Sequence, residues 1–480
     1  MSLRSRRDFM KTAAAAARAM LVGARATSAE TLSGRAAQLD ADAHGWARVP
    51  SILARISPPR FPRRDFPITR YGAVADTTTD CTDAIRKAVA ACHAAGGGRV
   101  VVSGGTFLTG AIHLASRVNL HIAEGATLRF SRETAAYLPV VLTRFEGTEL
   151  MNYSPFIYAL DAVDVAVTGT GTLDGQAGDQ HWWPWKGSKE HGWTPGASTQ
   201  KPARDRLVAM AEQGVPVAQR VFGEGDYLRP QFIQPYRCRN VLIEGVTIQA
   251  SPMWEIHPVE CTNVTVRGVK ISSRGPNNDG CDPESCRDVL IEHCIFDTGD
   301  DCIAIKSGRN ADGRRLHRPS ENLVIRDCEM RDGHGGVTVG SEISGDCRHV
   351  YVERCRMDSP RLDRALRLKN NAMRGGTLEH IYMRDVTVGQ VADAVLQVDF
   401  LYEEGENGPF VPVVRDVELL RVTSRKSEYG LYLRGYDKST IDDIRVIDCR
   451  FDGVAKPDVV DHVTRLVRRN LIRNGVRVDT

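Results

Sequence analysis

The sequence predicts an all-β fold, a parallel β-helix (a β-solenoid) with an N-terminal capping helix. Three observations carry this. A nine-residue pattern of two short β-branched stretches separated by a bend returns along most of the chain. The spacing of its copies is irregular while the pattern is fixed. Hairpin turn signals between the stretches are scarce.

The copies read NVLIEGVTI from Asn240, NVTVRGVKI from Asn263, DVLIEHCIF from Asp288, NLVIRDCEM from Asn322, HVYVERCRM from His349 and HIYMRDVTV from His380. Weaker copies start at Asp416 and Asp443, and looser ones at Asn119 and Asp164. From Asn240 to Asp443 the intervals are 23, 25, 34, 27, 31, 36 and 27 residues. Neither stretch of a copy is long enough for a helix. A constant pattern on variable spacing describes coils of one cross-section carrying loops of different length, stacked about 4.8 Å apart. An antiparallel sandwich would need hairpin turns. The seventh position of the copies is Val246, Val269, Cys294, Cys328, Cys355, Val386, Val422 and Cys449. Cysteine exchanging with valine marks a small buried hydrophobe. The 12 cysteines are therefore expected to be mostly free and buried, and no Cys/His spacing suggests zinc.

The other segments take their place around this array. Residues 1–29 read as a twin-arginine export signal: Arg6 and Arg7 precede an alanine-rich stretch and small residues through Ala29. A basic, frayed terminus is the alternative. Export by this route implies a periplasmic or extracellular protein that folds first in a reducing compartment. Residues 30–65 form an N-terminal extension and 66–455 the solenoid. Within the solenoid, about Thr82 to Ala95 reads as a capped helix that closes its open edge. Residues 176–236 are a long insertion rich in Trp, Pro and Gly, with a helix near 203–213. Residues 456–480 read as a C-terminal tail. At about 150 residues per domain, 480 residues suggest roughly three domains, a prior that the repeat overturns. Outside the signal no stretch is long and apolar enough to span a bilayer. Without residues 1–29 the charge is near −2, which argues against nonspecific nucleic-acid binding. An anionic ligand needs a local basic cluster instead.

Aligning the coils on their first residue generates columns. Asp300 lies twelve residues after Asp288, and His334 twelve after Asn322. Asn278, Asp300 and His334 then share a column, and Asp279, Asp301 and Gly335 the next. Ile303, Val337 and Leu366 point inward, as do Ile305, Val339 and Leu368. Arg367 and Lys369 point outward, with Lys306 in the column of Lys369. Three carboxylates, a histidine, an arginine and a lysine are thus gathered on one face. Each motif alone (GDD, GHG, RLK) is ordinary turn or strand text; their shared register is the signal. Cleaving a glycosidic bond takes one carboxylic acid to protonate the leaving oxygen and a second carboxylate to activate water or attack. Crowding pushes carboxylate pKa values upward and keeps one protonated. Arginine and lysine suit an anionic sugar. Three carboxylates could instead hold Ca²⁺.

PNND (276–279), GDD (299–301), GHG (333–335) and RLK (367–369) together resemble the four signatures of the polygalacturonases, family 28 of the glycoside hydrolases. The resemblance runs from about Ile68 to Tyr402. It implies a right-handed, pectin-lyase-like β-helix. It also implies hydrolysis of α-1,4-linked galacturonan with inversion, without a cofactor or metal. By motif position Asp300 is the general acid, and Asp279 and Asp301 activate water. His334 supports the acid's protonation state. Arg367 and Lys369 bind the substrate carboxylate, with Asn278, Lys306 and Tyr402 as further substrate contacts. Asn278 stands where many members have threonine. Directly stacked residues lie about 4.8 Å apart; the diagonal pair Asp279 and Asp300 is expected to reach the roughly 6.5–9.5 Å used by inverting enzymes. Trp182, Trp183, Trp185 and Trp193 could stack on sugars or pack the insertion onto the helix. A wall built by the insertion favours release from chain ends, and IAIKSGRN and GSE look like the bacterial exo-acting members. A polysaccharide lyase or a non-catalytic glycan-binding solenoid are the alternatives.

Overall fold

The computed structural model describes residues 45–480. The twin-arginine segment expected at residues 1–29 lies outside the described residues. The chain divides into two compact units, residues 1–50 and 51–480. Of the first, the described part is a short 3₁₀ turn, Trp46–Arg48, and the start of the helix Val49–Leu53.

In the second unit, strands of successive coils stack into three parallel sheets. The first runs from Asp65–Pro67 to Leu466–Arg469 and the second from Thr106–Thr109 to Val476–Arg477, each with 13 strands. The third has Ile112–His113, Ile157–Leu160 and Ile233–Tyr236 at one end. Six strands from Ile303–Ile305 to Val459–Asp461 form the other. Isolated bridges through Ile256 and Cys281 link the two parts. Parallel crossovers wind right-handed because strand twist favours that hand, so the fold is the expected right-handed parallel β-helix.

The repeat sets the register. Val241, Val264, Val289, Leu323, Val350, Ile381, Val417 and Ile444 pair in one buried column. The preceding residue of each copy, Asn240, Asn263, Asp288, Asn322, His349, His380, Asp416 and Asp443, has φ between 51° and 61°. Asn, Asp and His accept this left-handed conformation better than other side chains. They also join across coils. Asn263 Nδ2 donates to Asn240 Oδ1 at 2.8 Å, Asn322 Nδ2 to Asp288 Oδ1 at 3.1 Å, and His349 stacks on His380 at 4.6 Å. All twelve cysteines are buried and free.

The capping helix spans Thr82–Ala94; Asp80 accepts from the Thr82 N–H at 2.9 Å. Its buried face (Ile85, Ala88, Val89, Cys92) belongs to the solenoid core. The insertion helix is Lys201–Glu212, whose Ala203 and Leu207 pack with Phe145, Leu150, Phe222 and Met253. Phe145 and Leu150 belong to an antiparallel hairpin, Val141–Phe145 and Thr148–Asn152, that the sequence reading did not anticipate.

Two expected boundaries shift. Ile233–Tyr236 is not insertion: it pairs with Ile157–Leu160 as a coil strand. Residues 456–480 are not a tail. Val459–Asp461, Leu466–Arg469 and Ile472–Arg473 continue the three sheets, and Val476–Arg477 folds back antiparallel on the last. An end coil has a neighbour on one side only, so its sequence is more polar and reads as a tail. The extension leads into the first sheet at Asp65. Before that it straps the sheet's outer face: Arg55 pairs with Asp288 at 2.6 Å, and the Ser57 N–H donates to Asn263 Oδ1 at 2.9 Å. Among the described residues no helix is long and apolar enough to cross a membrane.

Free, buried thiols make a direct prediction. The native protein should leave its thiols unmodified by an aromatic disulfide reagent, all 12 should react after denaturation, and reductant should leave the melting temperature unchanged.

Candidate active site

The expected columns are present. Ile303 pairs with Val337 and Val337 with Leu366; Ile305, Val339 and Leu368 follow in the same register. Just before these strands the Asp300 N–H donates to the Asn278 carbonyl at 3.3 Å and the His334 N–H to the Asp300 carbonyl at 3.1 Å. The Gly280 N–H donates to the Asp301 carbonyl at 3.0 Å, which holds Asp279 beside Asp301. One side of the site is thus laid out by backbone pairing alone. A Cβ on Gly335 would stand 2.9 Å from Asp301 Oδ1 and 2.3 Å from Thr338 Oγ1, so glycine there leaves room for the Asp301 carboxylate.

Asp279, Asp300, His334, Arg367 and Lys369 line a cleft of about 470 Å³, and Asp301 lies buried beside them. One oxygen from each of Asp279, Asp300 and Asp301 lies within 4.8 Å of the others. His334 Nδ1 sits 3.0 Å from Asp300 Oδ1. Asp301 accepts from Thr338 Oγ1 at 2.8 Å and from Lys369 Nζ at 2.8 Å, with Arg367 Nη1 at 3.6 Å. Lys306 Nζ lies 3.7 Å from Asp279 and 3.2 Å from Glu342. The Tyr402 ring centroid is 5.6 Å from the Arg367 guanidinium and 5.4 Å from Lys369 Nζ. Asp279, Asp300, Asp301, His334, Arg367, Lys369, Lys306 and Tyr402 are therefore brought together.

Ionisation divides the carboxylates. Burial, then Asp282 and Asp300, pushes Asp279 well above the usual carboxylate range. Burial also pushes Asp300 upward, but the hydrogen bond and charge of His334 and the charge of Lys369 outweigh it and hold it low. Burial of Asp301 is outweighed by Lys369 and Arg367. The Asp300 hydrogen bond and charge raise His334. Crowding thus raises one of the three, Asp279, while Asp300, the acid by motif position, is held low and its partner His334 is the better proton holder of that pair. The carboxylate trio is already matched by Lys306, Lys369, Arg367 and His334, so it is a poor fit for Ca²⁺, which takes about six to eight oxygen ligands.

One further expectation is corrected. Asn278 does not face the cleft. Its Oδ1 accepts from the Gly275 N–H at 2.8 Å and from Ser273 Oγ at 2.8 Å, and its Nδ2 donates to the Ser251 and Met253 carbonyls. It shapes the turn, and Asn277 lines the cleft instead. The insertion's tryptophans pack rather than line the cleft. Trp182 stacks edge-on against Tyr137 and Phe156, Trp183 Nε1 donates to the Ser251 carbonyl at 2.9 Å, Trp185 meets Tyr153, and Trp193 Nε1 bonds Ala197 within the loop.

Several residues escaped the sequence reading. Trp254 lines the floor, and Glu146 of the hairpin turn and Lys186, Glu190 and Arg204 of the insertion line the wall. Arg229, fully buried, donates to the Pro276 carbonyl at 2.6 Å and to Asn277 Oδ1 at 2.8 Å and so holds the PNND turn. None of these sits at a repeat-locked position, and the sequence carried no signal for them.

Comparison with known proteins agrees with this geometry. The model of the glycosyl hydrolases family 28 matches residues 223–466. The crystal structure of a hyperthermoactive exopolygalacturonase from Thermotoga maritima superposes with a TM-score of 0.88 at 45% identity, covering 90% of this chain and 97% of that one. A probable polygalacturonase from Vitis vinifera is 30% identical over 66% of this chain and 59% of its own length. An exo-poly-alpha-D-galacturonosidase from Dickeya chrysanthemi is 28% identical over 70% of this chain and 57% of its own length. The chain thus spans less than two thirds of the length of these two curated relatives. With half of its length matched by the family model and its four motifs meeting in one cleft, this chain belongs to the glycosyl hydrolases family 28.

Proposed function

We propose that this protein hydrolyses the α-1,4-galacturonosyl linkages of polygalacturonate, removing sugars from chain ends, with inversion at the anomeric carbon. The observation that carries the reading is the carboxylate trio within 4.8 Å at the floor of a cleft that also presents Arg367 and Lys369. Asp300 is the most exposed of the three, with its side chain 19% accessible. As general acid it passes the proton of the Asp300–His334 pair to the leaving oxygen. Asp279 and Asp301 hold and deprotonate the attacking water. Arg367 and Lys369, backed by Tyr402, receive the sugar carboxylate.

Chain-end action is supported by the wall. Arg204 of the insertion helix pairs with Glu146 of the hairpin at 2.5 Å, and Glu146 pairs with Arg309 of the coil at 3.3 Å. These buried pairs pin two loops against one side of the cleft. The Thermotoga maritima and Dickeya chrysanthemi relatives bear exo-acting names. Inversion rests on family membership. The twin-arginine sequence and the size of a galacturonan polymer support action outside the cytoplasm, which fractionation of the expressing cell tests.

The activity test is release of reducing ends from polygalacturonate. Early product should be short and uniform; a ladder of oligomers overturns chain-end action. Product NMR should show the β anomer first. Activity should survive chelator without ultraviolet-absorbing unsaturated product, the opposite result indicating a lyase. Asp300→Asn should lose about 10²–10⁴-fold in kcat with the fold intact; an unchanged kcat overturns the acid assignment.

Arg367→Ala should raise KM about tenfold or more and move kcat less, because hydrogen bonds to charged groups are worth about 1.5–3 kcal/mol. His334→Gln should pull the basic limb of the kcat/KM profile to lower pH. The pair must retain one proton to act as acid, and without the raised imidazole Asp300 loses its own proton first.

A further inference from the structure

We propose that Lys306 is a positioning residue that sets the ionisation of the water-activating carboxylate Asp279, and that Glu342 sets the strength of Lys306. The proposal rests on the hydrolase reading above. It assigns to both residues a part that the sequence, which marked Lys306 as a substrate contact, did not indicate.

The Lys306 side chain is 3% accessible. Its ammonium lies 3.2 Å from Glu342, 3.7 Å from Asp279, 3.9 Å from Asp282 and 4.4 Å from the centre of the Trp254 ring. Three carboxylates and an indole face enclose it, so a sugar would have to displace a protein partner to reach it. Lys369, in the same column and lining the same cleft, has one close carboxylate partner, Asp301. The two lysines therefore divide the tasks that their shared register gave in common.

Asp279 needs a cation. It is 3% exposed, and its Oδ1 has no hydrogen-bond partner. Asp282 on its own turn, Asp300 and Asp301 on the next coil and Glu255 on the preceding coil all face it with acidic groups. Asp282 and Glu255 have both carboxylate oxygens without partners. Of the cations nearby, Lys369 is committed to Asp301, and Arg229 to Asn277 and the Pro276 carbonyl. Lys306 is the cation paired with Asp279. Burial among acids favours the protonated form of Asp279 even so, and Lys306 is the group that opposes this.

Glu342 moderates this effect. It is 7% exposed and takes the shortest of the Lys306 contacts. Behind it the charges alternate: Arg309 lies 3.8 Å from Glu342, Glu146 3.3 Å from Arg309, and Arg204 2.5 Å from Glu146. Each buried charge has an opposite neighbour, which is the condition for burying charges at tolerable cost. The line begins at the catalytic floor and ends on the insertion helix.

The test is a pair of variants with opposite signs. Lys306→Gln should move the acid limb of the kcat/KM profile upward by about one pH unit, roughly tenfold lost activity below the limb. Glu342→Gln should move it downward, because Lys306 then acts on Asp279 with less opposition. A ¹³C NMR titration of the Asp279 carboxyl without substrate, assigned with Asp279→Asn, should shift in the same two directions. Lys306→Gln that raises KM and leaves both the limb and the titration in place overturns the proposal. So do two variants that shift in the same direction. If the wild-type protein hydrolyses no galacturonan, the titration still decides the electrostatic claim while the activity assignment falls alone.

Discussion

One constraint governs this molecule: each coil must sit a single strand spacing, about 4.8 Å, above the last. A side chain that points outward on one coil therefore points outward beside its counterparts on the next. The column is what lets residues from Asp279 to Lys369 meet at one linkage. It also brings like charges together. The chain resolves this along the solenoid axis, with acids on the Asp279 and Asp300 coils and Arg367 and Lys369 two coils on. Lys306 is the cation set among the acids themselves.

How much of this was legible in the sequence follows from the same constraint. Residues at fixed distances from a repeat start could be placed, and the stacking of Asp300 on Asn278 and of His334 on Asp300 is as read. Side-chain direction inside a turn could not. Asn278 and Asn277 are neighbours in a turn whose first residue-to-residue twist turns one inward and the other to the cleft. Which carboxylate crowding raises was not legible either: it is Asp279, while His334 and Lys369 hold Asp300 low. The hairpin carrying Glu146 and the insertion carrying Arg204 and Arg229 were beyond register arguments. Their partners lie tens to hundreds of residues away, on loops whose lengths carry no period.

The insertion is more than a wall. Arg229 grips the PNND turn from behind, and its own burial pushes its pKa down to about 10. Trp183 lies against Gly275, where a Cβ would meet its ring at 2.2 Å. The tryptophans thus seat the loop on the turn that carries Asp279. Loop and cleft floor form one packed body, so the insertion also fixes where the Asp279 turn lies.

The two ends of the stack carry a separate implication. At one, a helix lies over the first coil; at the other, Val476–Arg477 reverses and pairs antiparallel with Ile472–Arg473. Parallel strands in register at this spacing are also the architecture of amyloid, where each new chain templates on an open rung. Here the molecule's own terminal elements cover part of each end. The rungs on which a further strand could template are thereby narrowed by residues far from the cleft.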